Sequence, residues 1–183
     1  MLIVAVVGMA GAGKSEVSRI FESHNYKRIR FGDVTDEELA KVGLPLNEAN
    51  EREMRESLRK QHGMDAYAKL NLPKIDDAVK VGNVVVDGLY SWEEYLLLKS
   101  YFTDRFKVAA VWSSPALRCA RLAHRKIRPL TKEEVESRDA AEIVKLNKGG
   151  PIAIADYMII NQGSLFDLVG ECQRCLEFFE AQS

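Results

Sequence analysis

Residues 8–15 read Gly8-Met9-Ala10-Gly11-Ala12-Gly13-Lys14-Ser15 and directly follow the apolar, β-branched run Leu2 to Val7. A Gly-x-x-x-x-Gly-Lys-Ser segment between a buried strand and a helix leaves few folds open. Its glycines let the backbone curl closely around an anion and aim N–H groups inward. The helix that starts near Lys14 adds positive potential at its N-terminus. Gly8, Ala10, Gly11, Ala12, Gly13, Lys14, Ser15 and Glu16 are therefore the candidate phosphate cradle. The Lys14 amine suits the β- and γ-phosphates of a nucleotide, and the Ser15 hydroxyl suits magnesium. A plain glycine-rich turn is the alternative, but a strand before and a helix after are the context that phosphate binding requires.

Further strands follow at Lys27 to Phe31, Val84 to Val86, Val108 to Trp112 and Tyr157 to Ile160, with helical stretches between them. Alternating strands and helices make a largely parallel sheet covered on both faces. The expectation is an α/β three-layer α/β/α sandwich on a five-stranded parallel sheet, in one domain over 1–183. Residues 35–80 are charged and helical, with a Thr35–Glu38 capping box, and form an insert between the second and third strands. Ser91 is a candidate N-cap, Pro115 opens a helix, and Thr131 with Glu134 caps a helix over 131–148. Ser164 starts the last helix.

Strand ends carry the next candidates. In such sheets ligands sit at the carboxyl ends of the strands. Asp87 ends the third strand and can hold magnesium through water; Asp33 ends the second and can contact an acceptor or serve as general base. Either aspartate could instead simply begin a turn. Arg118, Arg121 and Arg125 share a helix face by their spacing, Arg128 follows, and Arg138 lies on the next helix. Guanidinium groups can clamp phosphates and stabilise charge during transfer, whereas a solvated face paired with acids is the bland reading. Arg55 and Arg59 lie four apart on the insert and fit either helical ion pairs or an acceptor phosphate. Asn161-Gln162-Gly163-Ser164 follows the fifth strand, where Asn161 and Gly163 can line an adenine.

Composition limits the partners. Twenty-six basic residues against 27 acidic ones give a net charge of -1, which argues against general nucleic-acid binding. No apolar run nears the roughly 18 residues of a membrane span, so the expected compartment is the cytoplasm. Cys172 and Cys175 form a Cys-x-x-Cys pair on the last helix, read as ordinary helix residues before a redox or zinc site. His24, His62 and His124 have no ligand spacing. Asn147-Lys148-Gly149-Gly150 approaches the guanine-recognition motif of regulatory GTPases but has glycine where that motif needs aspartate.

GMAGAGKSEV, FGDV at 31–34, VVVDGLYSWEE at 84–94, WSSPALRCARL at 112–122, ESRDAAE at 136–142 and ADYMIINQGSL at 155–165 together resemble one family. The chain is similar to P-loop nucleotide kinases related to adenylate, cytidylate and dephospho-coenzyme A kinases, and to their small archaeal branch. The resemblance implies ATP and magnesium as cofactors, a helical acceptor-binding insert over 35–80, and a mobile, arginine-bearing lid over 122–138. It implies phosphoryl transfer to a small phosphorylated or nucleotide-like acceptor. Two acceptor arginines of adenylate kinases have no counterpart: Val34-Thr35-Asp36 follow Gly32-Asp33, and Leu89-Tyr90 follow Asp87-Gly88. An ATP-binding regulatory module without transfer activity therefore stands as the alternative. Acceptor identity and oligomeric state are left open.

Overall fold

A computed structural model describes residues 1–125 and 129–182. β1 (Ile3–Val7), α1 (Lys14–Ser23), β2 (Lys27–Arg30), α2 (Asp33–Lys41), α3 (Glu48–His62) and α4 (Ala66–Val79) make the first half. β3 (Val84–Asp87), α5 (Trp92–Phe102), β4 (Phe106–Trp112), α6 (Pro115–Ala123), α7 (Lys132–Val144), α8 (Gly149–Ala153), β5 (Tyr157–Ile160) and α9 (Leu165–Glu180) follow. The strands form one sheet in the order β2-β3-β1-β4-β5, and every pairing is parallel. The expected five-stranded α/β/α sandwich is the fold.

Strand periodicity explains the layers. Side chains alternate across a sheet, and here each alternation meets a separate core. Ile3, Ala5 and Val7 face the cluster that holds Tyr67, Ile75, Leu98 and Phe102 of α4 and α5. Leu2, Val4 and Val6 face the cluster of Val17, Phe21, Leu168, Cys172 and Phe179 from α1 and α9. All five residues of β1 are fully buried, as a strand covered on both faces demands. Cys172 and Cys175 are buried in that second core as free thiols, and burial pushes Cys172 up to about 12, the state of an inert structural thiol.

Several boundaries differ from the sequence reading. β2 stops at Arg30, and Asp33 begins α2 rather than ending a strand. The Thr35–Glu38 capping box is not formed, because the helix starts two residues earlier and Thr35 is buried inside it, its hydroxyl 2.6 Å from that of Tyr67. The helix expected over 131–148 ends at Val144, and a turn then leads into α8. α4 packs on the sheet as a crossover helix, and Val34 of α2 and Leu58 of α3 join the same core.

The expected caps at Ser91, Thr131 and Ser164 all form, each as a reciprocal capping box. Ser91 does more than cap. Its hydroxyl accepts from Glu94 N–H at 3.1 Å and donates to the Met64 carbonyl at 2.8 Å, pinning the start of α5 to the turn before α4. Ser91→Ala should cost about 1–2 kcal/mol and lower the thermal midpoint by roughly 2–4 °C per kcal/mol for a chain of this size. An unchanged midpoint in a thermal melt would remove that role from Ser91.

Candidate active site

β1 delivers the glycine-rich loop to the carboxyl edge of the sheet, between β3 and β4. Gly11 and Gly13 have φ of 78° and 102°, backbone that favours glycine. Space demands glycine as well: a Cβ on Gly13 would lie 2.2 Å from Asn161 Nδ2, and one on Gly11 would lie 2.8 Å from the Arg118 carbonyl. The loop carbonyls are gripped from outside. Arg118 Nη1 donates to Ala10 O at 3.0 Å and Asn161 Nδ2 to Ala12 O at 2.8 Å, while the Ser113 hydroxyl, 3.2 Å from Ala12 O, lies nearer to Asn161 O at 2.6 Å. Held this way, the loop and the first turn of α1 offer N–H groups that a helix cannot satisfy internally. Such N–H groups at a helix N-terminus are suited to binding an anion.

Lys14 Nζ folds back over the loop and donates to Gly8 O at 2.9 Å and Met9 O at 3.1 Å. Enclosure of its ammonium, and then the neighbouring Lys148, push Lys14 down to about 7. Phosphate oxygens would raise it again by opposite charge. The bound form thus has the higher pKa, so affinity should be greatest below about 7 and decline as pH rises above it, and binding near pH ~8 should take up a proton. Calorimetry of ATP binding in two buffers of different ionisation enthalpy checks this; zero proton uptake would contradict it.

The remaining candidates fall into distinct places. Ser15 is exposed in the first turn of α1, and Glu16 beside it pairs with Arg19. Asp87 is buried at the end of β3, level with Val6 of β1, and Arg28 Nε reaches its Oδ2 at 3.2 Å. Asp33 is half-exposed, its Oδ1 2.7 Å from Arg30 Nη1, which also binds Asp36. Arg121 Nη1 donates to Ser113 Oγ at 2.9 Å and its Nη2 to Asn161 Oδ1 at 3.1 Å. Asn161 therefore sits behind the loop, tying it to Arg121. Gly163 lies against the Asp167 carboxylate that caps α9.

Arg118, Arg121 and Arg125 do not share a helix face, because α6 ends at Ala123 and Arg125 lies beyond it, exposed. Arg118 is a strut: it is buried, and its guanidinium makes a fork to Asp139 at 2.9 and 2.6 Å besides its bond to the loop. Arg138 Nε lies 3.4 Å from Glu142 Oε1. Arg128 falls outside the described residues. On the insert, Arg55 pairs with Glu48 at 2.8 Å, while the Arg59 guanidinium lies 5.2 Å over the ring of Tyr67. His24 and His124 cap helix ends and His62 closes α3.

Two groups at the site escaped the sequence reading. Glu94 is fully buried and accepts from Tyr90 N–H at 2.7 Å; burial pushes its carboxyl up to about 7. Lys148, read only as part of a failed guanine motif, is buried with its ammonium 2.9 Å from Glu142 Oε2 and 5.5 Å over the Tyr90 ring. Burial alone would push Glu142 up, but Lys148 and then Lys14 hold it at about 2. The signal for such a pair, an acid six residues before a lysine across a helix end, is too common to single out.

Residues 4–144 match the AAA domain family. A UPF0200 protein of Thermococcus kodakarensis is 35% identical over 180 residues, which cover 96% of this chain and 97% of that protein. TT1252 from Thermus thermophilus superposes with a TM-score of 0.65 at 21% identity, covering 99% of this chain and 97% of that one. Shikimate kinase from Bacteroides thetaiotaomicron superposes with a TM-score of 0.63 at 14% identity, covering 98% of each. At these identities the structural likeness speaks for the fold. Among the described residues no helix is long and apolar enough to cross a membrane.

Proposed function

Since the chain belongs to the UPF0200 family and has the fold of a P-loop kinase, we propose that it transfers a phosphoryl group from ATP to a small phosphorylated or nucleotide-like acceptor. The observation that carries this reading is the cradle of residues 8–15, braced from behind and overlaid by Lys14. Phosphoryl transfer needs positioning and charge neutralisation more than covalent help from the protein. The loop amides would hold the phosphates and Lys14 would meet the β- and γ-oxygens. Ser15 would ligate magnesium directly and Asp87 through water, with phosphate and water oxygens completing the shell. Magnesium would supply further neutralisation of the transferring group. Arg121 and the turn at Asn161–Gly163 would border the adenine.

The acceptor would enter beside α2 and α3, near Asp33, Arg59 and Tyr90. Leu89-Tyr90 follow Asp87-Gly88 in the segment where adenylate kinases carry an arginine, which turns the reading away from adenylate kinase activity itself. The lid would be 122–138, with Arg125, Arg128 and Arg138 as its cations. Several cations around one crevice suit an anionic acceptor better than a neutral one, since arginine presents a rigid, always-charged fork. The test is a screen of nucleoside monophosphates, dephospho-coenzyme A and neutral sugars for acceptor-dependent ADP release. A neutral sugar as best acceptor, with Arg125→Ala and Arg128→Ala fully active, would overturn the anionic-acceptor reading.

One observation favours an ATP-binding regulatory module instead: Asp87 and Asp33, the two carboxylates assigned to chemistry, are each engaged by an arginine. ATP binding without any acceptor-dependent ADP release would decide for it.

A further inference from the structure

Lys148 is a buried cation beside the phosphate loop, and its placement is costly. Removing an ammonium from water costs several kcal/mol even after the protein relaxes, so a lysine that serves only to fill space is a poor choice there. The backbone fixes it firmly all the same. Lys148 N–H donates to Glu142 O at 3.2 Å, and Asn147 turns the chain with φ of 49°. Trp92 N–H reaches Leu146 O at 3.3 Å, and Gly150 lies so close to the Trp92 ring that a Cβ would come within 2.6 Å of it. The turn is clamped on the start of α5, and the lysine side chain runs inward from it.

At the inner end the charges are unequal. Glu142 is shared by two cations, Lys148 at 2.9 Å and Arg138 at 3.4 Å. Lys14 belongs to the same group: Lys148 is the charged neighbour that most depresses its ammonium, and Glu142 the one that most supports it. Two other acids lie near: Asp87 is occupied by Arg28, and Glu94, which also acts on Lys148, is buried and accepts from the Tyr90 and Ser91 N–H groups. Two cations, Lys148 and Arg138, thus share one carboxylate, and Lys14 feels the charge of both Lys148 and Glu142. A structural ion pair needs one partner; a cationic excess of this kind beside a phosphate loop suits the charge of an oligophosphate.

We propose that Lys148 is a phosphate-binding residue of the same centre as Lys14, and that Glu142 is the resident counter-anion which a nucleotide phosphate displaces. The proposal rests on the reading of residues 8–15 as a triphosphate cradle. It places a further cation in that centre from the segment after the lid, on the side of Tyr90 where the Asp-Gly segment has no arginine.

The test is calorimetric titration of the full chain with ATP and with inorganic tripolyphosphate. Glu142→Gln removes the competing charge and keeps the shape, so it should bind both ligands roughly tenfold more tightly than wild type; Lys148→Met should bind both roughly tenfold more weakly. Should Lys148→Met fail to fold, Glu142→Gln/Lys148→Met leaves no carboxylate uncompensated and should forfeit the gain of Glu142→Gln. A merely structural pair predicts lower melting points with unchanged affinity, and that result would overturn the proposal. So would weaker binding by Glu142→Gln, or a double variant as tight as Glu142→Gln alone. A wild-type protein that binds neither ligand would instead remove the triphosphate reading itself, and this proposal with it.

Discussion

Lys14→Ala is expected to abolish measurable phosphoryl transfer while leaving the protein folded. Among the described residues the Lys14 ammonium donates to carbonyls of its own loop, Gly8 O and Met9 O, and it carries no packing role in either large core. Its loss should therefore change stability little, because the gain from these charge-assisted bonds is offset by the cost of enclosing the ammonium. Toward a triphosphate the same ammonium makes charge-assisted bonds worth about 1.5–3 kcal/mol each, so affinity should drop at least about tenfold. The rate should drop further, because a preorganised donor to developing charge is worth about 10²–10³ in turnover. Titration and steady-state assay beside a thermal melt check the three statements. A folded variant with wild-type affinity and turnover would remove Lys14 from the mechanism.

Arg118→Ala is expected to have the largest effect on stability. Its side chain is 6% exposed, forks onto Asp139 and holds Ala10 O, joining α6, α7 and the phosphate loop. Breaking a buried pair by removing one partner costs about 3–5 kcal/mol; the partial exposure of Asp139 places this case at the low end. At roughly 2–4 °C per kcal/mol the midpoint should fall about 6–12 °C. ATP affinity should fall as well, since Ala10 loses its brace. Arg118→Met/Asp139→Leu should recover most of the stability, because apolar replacement of both partners leaves no charge stranded. By contrast Lys80→Ala, which removes an exposed pair with Asp77, should be nearly silent. A midpoint for Arg118→Ala within about 2 °C of wild type would show that the loop is held by something else.

Arg118 also marks where sequence reading stops. Its spacing on α6 invited a phosphate clamp, but its partner Asp139 lies 21 positions away and no local pattern announces that pairing. Asn161 and Ala12, 149 positions apart, and Arg28 and Asp87, 59 apart, are likewise products of strand order. Signals within one turn or one strand were legible: the glycine-rich loop, the alternating strands, the caps at Ser91, Thr131 and Ser164, and Cys172 with Cys175 as ordinary helix residues. Asp33 shows the limit of local reading, since Gly32-Asp33 looks like a strand-ending turn and is instead the entry to α2. Lys148 was missed because lysine is almost never fully buried unless paired, and its pairing with Glu142 depends on the turn at Asn147.

The central claim is that ATP held in the cradle of residues 8–15 gives its γ-phosphoryl group to a second molecule, leaving ADP. The most direct test is to supply ATP labelled at the γ-phosphate, with magnesium and a panel of phosphorylated and nucleotide-like acceptors, and to follow the label. The account predicts label on one acceptor, in proportion to ADP formed, and none with Lys14→Ala. Label appearing only in inorganic phosphate, at a rate no acceptor changes, would contradict it.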